Sequence, residues 1–111
     1  MLHFEKELEG LRERLLEMSG MVASAIHGSV RSLTEKDAQR ALEVLRNEDR
    51  VNKLQMEVDE LSTELLALRQ PVALDLRFIT AAMRINVDLE RMGDLAVSIA
   101  KRTRHLIEKP K

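Results

Sequence analysis

"RQPVALDLR", residues Arg69 to Arg77, interrupts a long run of helical periodicity. Proline has no amide proton to give a helix interior and its ring collides with the preceding turn, so continuing a helix through Pro71 costs about 3 kcal/mol. Proline also suits the first position of a new helix, and Asp75 places a carboxylate where the helix dipole favours one. The stretch reads as one helix ending and another beginning, with few residues available for the reversal.

Working outward, both sides are helical. Before the break, Val44, Val51, Leu54, Val58, Leu61, Leu65 and Leu68 form an apolar seam, with Asn47 as its polar member. After it, Phe78, Ala82, Ile85, Leu89, Met92, Ala96, Ile99, Thr103 and Leu106 alternate by four and three. A second break is "SLTEKDAQ" (Ser32 to Gln39), where Thr34 and Asp37 approximate a capping box. Ahead of it, Phe4, Leu8, Leu11, Leu15, Met18, Val22 and Ala25 make the first seam. Helices are expected over 3–33, 37–70 and 72–108, each roughly 45–50 Å long at 1.5 Å per residue. Short connections make neighbours antiparallel, so the expected fold is all-α: an up-down-up three-helix bundle, packed like a coiled coil, in one domain over 1–111.

Composition agrees. Aromatic residues make up 2% of the chain, and tryptophan and tyrosine are missing, which disfavours a sheet. A formal charge of −1 argues against a general nucleic-acid binder. There is no cysteine for a disulfide, a thiolate metal site or a thiol nucleophile. No apolar run is long enough to span a bilayer, and the amino end lacks a basic-then-apolar leader pattern, so a cytoplasmic address is expected.

One local feature resists a purely structural reading. Glu90 and Asp94 are four apart and repel on a bare helix, and Gly93 between them costs roughly 1 kcal/mol relative to alanine. An apolar lane beside the third seam, Ile79, Met83, Val97, Ala100 and Ile107, is interrupted here by Asn86, Glu90 and Gly93. The second helix carries a similar polar lane of Glu48, Asn52, Gln55 and Asp59. If the chain reverses around Pro71, residues equally distant from it stand level. Glu48 lies 23 residues before Pro71 and Asp94 lies 23 after it, and Asn52 and Glu90 are each 19 away. The expectation is a four-cornered set of oxygen donors, Glu48, Asn52, Glu90 and Asp94, at mid-height of the bundle. Oxygen donors suit magnesium, calcium or manganese, and carboxylates also hold iron; zinc belongs among the cations to try. Gly93 is read as leaving the approach to that site open. The plainer reading is a hydrated acidic patch with Arg50, Arg91 and Lys101 as exposed ion-pair partners of small worth.

The remaining chemistry is sparse. His3, His27 and His105 are scattered, and no Glu-x-x-His pattern supplies the histidines of a helical di-iron enzyme. Met18, Met21, Met56, Met83 and Met92 read as core or core edge. Arg69 and Arg77 bracket the turn and suit either an anion, an acidic partner or simple ion pairing. No glycine-rich phosphate loop is present. Surplus apolar residues, Leu16, Met21, Ile26 and Val30 on the first helix and Val72, Leu76, Val87 and Leu95 on the third, call for cover by another subunit, a second repeat or a partner.

"RQPVALDLR" followed by "LERMGDLAVSIA" (Leu89 to Ala100) resembles the PhoU family of bacterial and archaeal phosphate-regulon proteins, and "FEKELEGLRERLLEMSGMV" (Phe4 to Val22) is similar to that family's first helix. The resemblance implies a chain of two three-helix repeats, of which this is either one half or a single-repeat member. It implies a cytoplasmic, non-enzymatic adaptor that couples a phosphate ABC-transporter ATPase to a sensor histidine kinase and holds starvation signalling off. It further implies a homodimer or a second repeat, membrane association only through those partners, and no nucleic acid. Some members bind metal through paired E/D-x-x-x-D motifs; Glu90–Asp94 matches, whereas Asn52 stands where the pattern has Asp after Glu48. Two other readings stay open: a structural helical dimerisation module with no metal site, and a carboxylate-metal enzyme.

Overall fold

The computed structural model describes residues 2–109 and is all helix apart from short connections. Helix α1 spans Leu2–Glu35, α2 Ala38–Arg46, α3 Glu48–Arg69 and α4 Ala73–Glu108. α2 and α3 form one span interrupted at Asn47, so the architecture is the expected up-down-up three-helix bundle, about 60 × 18 × 17 Å. Pro110 lies outside the described residues.

The connections show how the sequence stops and restarts each helix. α1 runs past Thr34, whose hydroxyl donates back to the Arg31 carbonyl instead of capping a new helix. The chain leaves α1 through Lys36, at a left-handed φ of 54°, with the Asp37 amide donating to the Ser32 carbonyl at 2.9 Å and the Lys36 amide to Leu33 at 3.4 Å. That is a Schellman closure, which satisfies carbonyls the helix end leaves free. Asp37 then caps α2, its carboxylate accepting from the Arg40 amide at 3.1 Å. The cap is therefore Asp37 rather than a Thr34–Asp37 box. At the other reversal Gln70 takes a left-handed φ of 46°, Pro71 follows, and extended Val72 precedes α4.

Three core layers follow along the bundle. Near the Pro71 reversal, Leu11, Val58, Leu65, Ile79 and Ala82 are buried. Mid-height holds Met18, Val22, Val51, Leu54 and Leu89. The far end, under α2, is built from Ala41, Val44, Ala96 and Ala100, with Ser29, Ser32 and Thr103 also buried. Side-chain size falls along the series, so the helices approach most closely beneath α2. Gly28 belongs to that approach: a Cβ there would meet the Val44 Cγ2 at 3.3 Å.

Two seams differ from their expected positions. In the middle span Asn47 is exposed, its side-chain amide donating to the Glu43 carbonyl at 3.2 Å, and Leu68 is 74% exposed at the span's end. On α4 the buried line is Ile79, Ala82, Asn86, Leu89, Ala96, Val97, Ala100 and Thr103. Ile85, Met92 and Leu106 of the expected seam stand 46%, 42% and 56% exposed. The lane taken for a flank is thus half of the core, and α4 is rotated by roughly 60° from the expected seam, at 100° per residue. On α1 the expected seam holds throughout; Met21 and Ile26, expected as surplus, are half-buried against the core.

Candidate functional site

Glu48, Asn52, Glu90 and Asp94 line one pocket, together with Ala25, Val44, Val51 and Val97. Its volume is about 20 Å³, room for one water or one ion. The reversal at Pro71 set the register, and the register holds to within the reach of these side chains. Val44, Val51 and Val97 are buried and floor the pocket, while Glu48 and Glu90 are half-buried and Asn52 and Asp94 exposed, forming its rim.

Local structure explains each placement. α3 restarts immediately after Asn47, so Glu48 and Asp49 occupy its first turn, where the dipole stabilises their charge. Asn52 lies one turn further along. Across the pocket, the rotation of α4 carries Glu90 and Asp94 toward α3, one helical turn apart. Asn86, a turn before Glu90, is 2% exposed and donates from Nδ2 to the Gln55 carbonyl at 3.0 Å, tying α4 to α3 beside the pocket. Its Oδ1 is buried without a protein partner.

Gly93 also lines the pocket, but its missing Cβ faces Val22 and Val51, each 3.7 Å from where that atom would stand. It is a helix-packing position between α1 and α3 rather than a gap left for a ligand's approach.

The donor set is three carboxylates and one carboxamide, the oxygen chemistry that hard cations take. Among the described residues, however, no three His, Asp or Glu side chains converge as a ready-made metal site. A cation here requires the rim side chains to turn inward from the positions they hold. The plainer ion-pair reading is not realised either. Arg50 pairs with Glu17, and among the described residues Glu48, Glu90 and Asp94 form no salt bridge. The pocket lining contains no serine, threonine, histidine or lysine, so its only ionisable groups are the carboxylates of Glu48, Glu90 and Asp94.

Elsewhere, Arg69 is committed to Glu7 of α1, with nitrogen–oxygen distances of 2.9 and 2.8 Å, while Arg77 is exposed. His27 sits on a larger open groove of about 450 Å³ between α1 and α2, beside Arg40 and Glu43. Charges of both signs border that groove.

Comparison with known proteins settles the family. The PhoU domain model matches residues 15–103. The chain belongs to the PhoU family. It is 38% identical over 105 residues to a phosphate-specific transport system accessory protein PhoU homolog of Burkholderia, covering 95% of this chain and 45% of that one. The PhoU homolog of Aquifex aeolicus is 37% identical, with 95% of this chain and 48% of the relative covered. Among solved structures, PhoU from Pseudomonas aeruginosa superposes with a TM-score of 0.92 at 37% identity, over 97% of this chain and 52% of that one. The chain spans about half the length of the curated relatives it matches. Among the described residues of this PhoU-family bundle, no helix is long and apolar enough to cross a membrane.

Proposed function

We propose that this chain is an accessory component of a phosphate-specific transport system. It acts without catalysis as a cytoplasmic adaptor between the transporter's ATPase and a phosphate-sensing histidine kinase, keeping starvation signalling off when phosphate is ample. Family membership carries this reading, through relatives whose names state the accessory role. A role in controlling uptake requires no direct phosphate site, and contact with the membrane would come through the partners. The bundle also presents apolar surface suited to a second copy or repeat.

The pocket supports a finer reading: one hard divalent cation, magnesium, manganese or iron(II), or zinc, held weakly by Glu48, Glu90 and Asp94 with the Asn52 carbonyl. The observation favouring it is that four donors chosen by register meet at one pocket, with no salt bridge to any of the carboxylates among the described residues.

The test of the adaptor role is a starvation-promoter reporter in a bacterial strain deleted for its own PhoU, with the chain expressed in phosphate-rich medium. Repression together with co-purification of the ATPase or the kinase is the expected result. A reporter that stays fully induced while the folded chain accumulates overturns the adaptor role.

A further inference from the structure

The reversal at Pro71 carries the least covered apolar side chains of the protein. Leu74, Leu68 and Val72 are 75%, 74% and 73% exposed, more than any other large apolar side chain among the described residues. Leu76, two residues further on, is exposed as well. Solvated reversals are ordinarily built from glycine, proline and small polar residues. Single exposed leucines need no explanation, but four large apolar residues gathered in one turn make a patch. Its backbone is tightly constrained. Gln70 and Ala73 take left-handed φ values of 46° and 48° without being glycine, each at a cost of about 1–2 kcal/mol. A turn that only had to reverse the chain would relieve that cost with glycine at both places.

Beside the patch, between the start of α1 and the turn, lies a hollow of about 640 Å³. Phe4, Leu8 and Val72 give it apolar walls, and its groups charged at neutral pH are Glu5, Asp75 and Arg69. Arg69 is already paired with Glu7, whereas Glu5 and Asp75 form no salt bridge among the described residues. The turn therefore suits apolar side chains and a cation arriving together, an apolar centre with a polar rim. An anionic bilayer would take the leucines but repel the two carboxylates. Position along the bundle narrows the occupant further. The molecule is 60 Å long and 18 Å across, and the turn lies at one end, where α4 begins. A neighbour laid alongside, whether a second copy or the further chain of the longer relatives, buries flank. The end of such a rod is met by a partner arriving end-on.

We infer that the Leu68–Leu76 turn is a docking knob for an apolar socket with a basic rim on a partner protein, and that Glu5 and Asp75 receive a lysine or arginine of that partner in the adjoining hollow. The inference rests on the adaptor reading and names the surface through which one of its two partners is held.

The experiment is biolayer interferometry of the 111-residue chain against the purified transporter ATPase and the cytoplasmic part of the sensor kinase, at low and high salt. Wild type should bind one of the two. Val72→Ser with Leu74→Ser should weaken that binding on the order of tenfold or more, with unchanged helical circular dichroism, since both side chains already face solvent. Glu5→Gln with Asp75→Asn should slow association and flatten its salt dependence. Leu95→Ser, at an exposed leucine on the flank of α4, should bind as wild type. Binding that both paired variants retain overturns the inference and leaves the adaptor reading standing. Loss with the serine pair but not the amide pair refutes the basic rim. Loss confined to Leu95→Ser places the contact on the flank and overturns the knob. A wild type that binds neither protein overturns it too, and the adaptor reading then falls only if the starvation reporter also stays induced. Sedimentation with phosphatidylglycerol vesicles that the serine pair abolishes would assign the turn to a bilayer and overturn the protein socket.

Discussion

Three helical glycines in different surroundings test the packing argument. Replacing glycine by alanine inside a helix contributes about 1 kcal/mol through backbone entropy alone. What the new methyl meets decides the rest. At Gly20 a Cβ has nothing within 4 Å, so Gly20→Ala should stabilise by about 1 kcal/mol. At Gly93 it lies 3.7 Å from both Val22 Cγ2 and Val51 Cγ1, ordinary contact distance. Burying a methyl there adds up to about 0.8 kcal/mol, so Gly93→Ala should gain roughly 1–2 kcal/mol. At Gly28 the Cβ would stand 3.3 Å from Val44 Cγ2, a β-branched side chain that is stiff at χ1. Overpacking costs of about 1–3 kcal/mol cancel or reverse the entropic gain at that position.

The expected order of stability is therefore Gly93→Ala at or above Gly20→Ala, both above wild type, with Gly28→Ala at or below it. Urea unfolding followed by far-UV circular dichroism reads this directly, at one protein concentration so that self-association does not shift the baseline. In thermal melts each kcal/mol should appear as several degrees. A destabilised Gly93→Ala would refute the reasoning, since it would mean that α1, α3 and α4 approach more closely than 3.7 Å allows. A stabilised Gly28→Ala would refute the tight approach under α2.

Four further outcomes follow from the geometry. Asn52→Asp adds the fourth carboxylate and should tighten manganese or iron(II) uptake by calorimetric titration, while Glu90→Ala with Asp94→Ala should abolish it; equal uptake by all three proteins removes the cation from the pocket. Asp37→Ala loses the cap on α2 and should cost about 1 kcal/mol in urea unfolding, with no cost if the Arg40 amide is satisfied by water instead. Asn86→Asp buries a carboxylate against the Gln55 carbonyl and should cost about 3 kcal/mol or more at neutral pH. Its folded pKa is raised, so the deficit relative to wild type should shrink as pH falls through that value toward about 3.9, the unfolded one; a deficit independent of pH would mean the side chain escapes to solvent. The partly exposed cross-helix pairs Glu7–Arg69, Arg14–Glu57 and Glu17–Arg50 should together contribute little, so 1 M sodium chloride should lower stability by no more than about 1–2 kcal/mol.

How much of this was legible in the sequence depends on what each residue signals. Pro71 is unambiguous, and with it came the bundle, the reversal and the level pairing that placed Glu48 and Asn52 across from Glu90 and Asp94. The first seam was legible because apolar bulk and burial coincide along α1 from Leu11 to Val22. The break at Asn47 was not, because a single asparagine at a seam position reads equally as a polar core member and as an interruption. Here its side chain serves the preceding carbonyl at Glu43 and turns outward.

The rotation of α4 is the instructive difference. Hydrophobic periodicity ranks lanes by bulk, and on α4 the bulky lane is Phe78, Ile85, Met92, Ile99 and Leu106. The buried lane instead mixes Ile79, Leu89 and Val97 with the smaller Ala82, Asn86, Ala96, Ala100 and Thr103, and Gly93 faces Val22 and Val51. Small residues allow the helices to come close, and close packing over a long helix pair gains more contact than a few larger side chains held further apart. A rotation of roughly 60° then has two consequences at once. It swings Glu90 and Asp94 onto the α3 side, where they meet Glu48 and Asn52. It also turns the bulky lane out to where only another molecule or another segment can bury it. The acidic pocket and the apolar stripe are therefore two results of one packing choice, and a substitution that forces α4 back, such as a large residue at Gly93, should disturb both together.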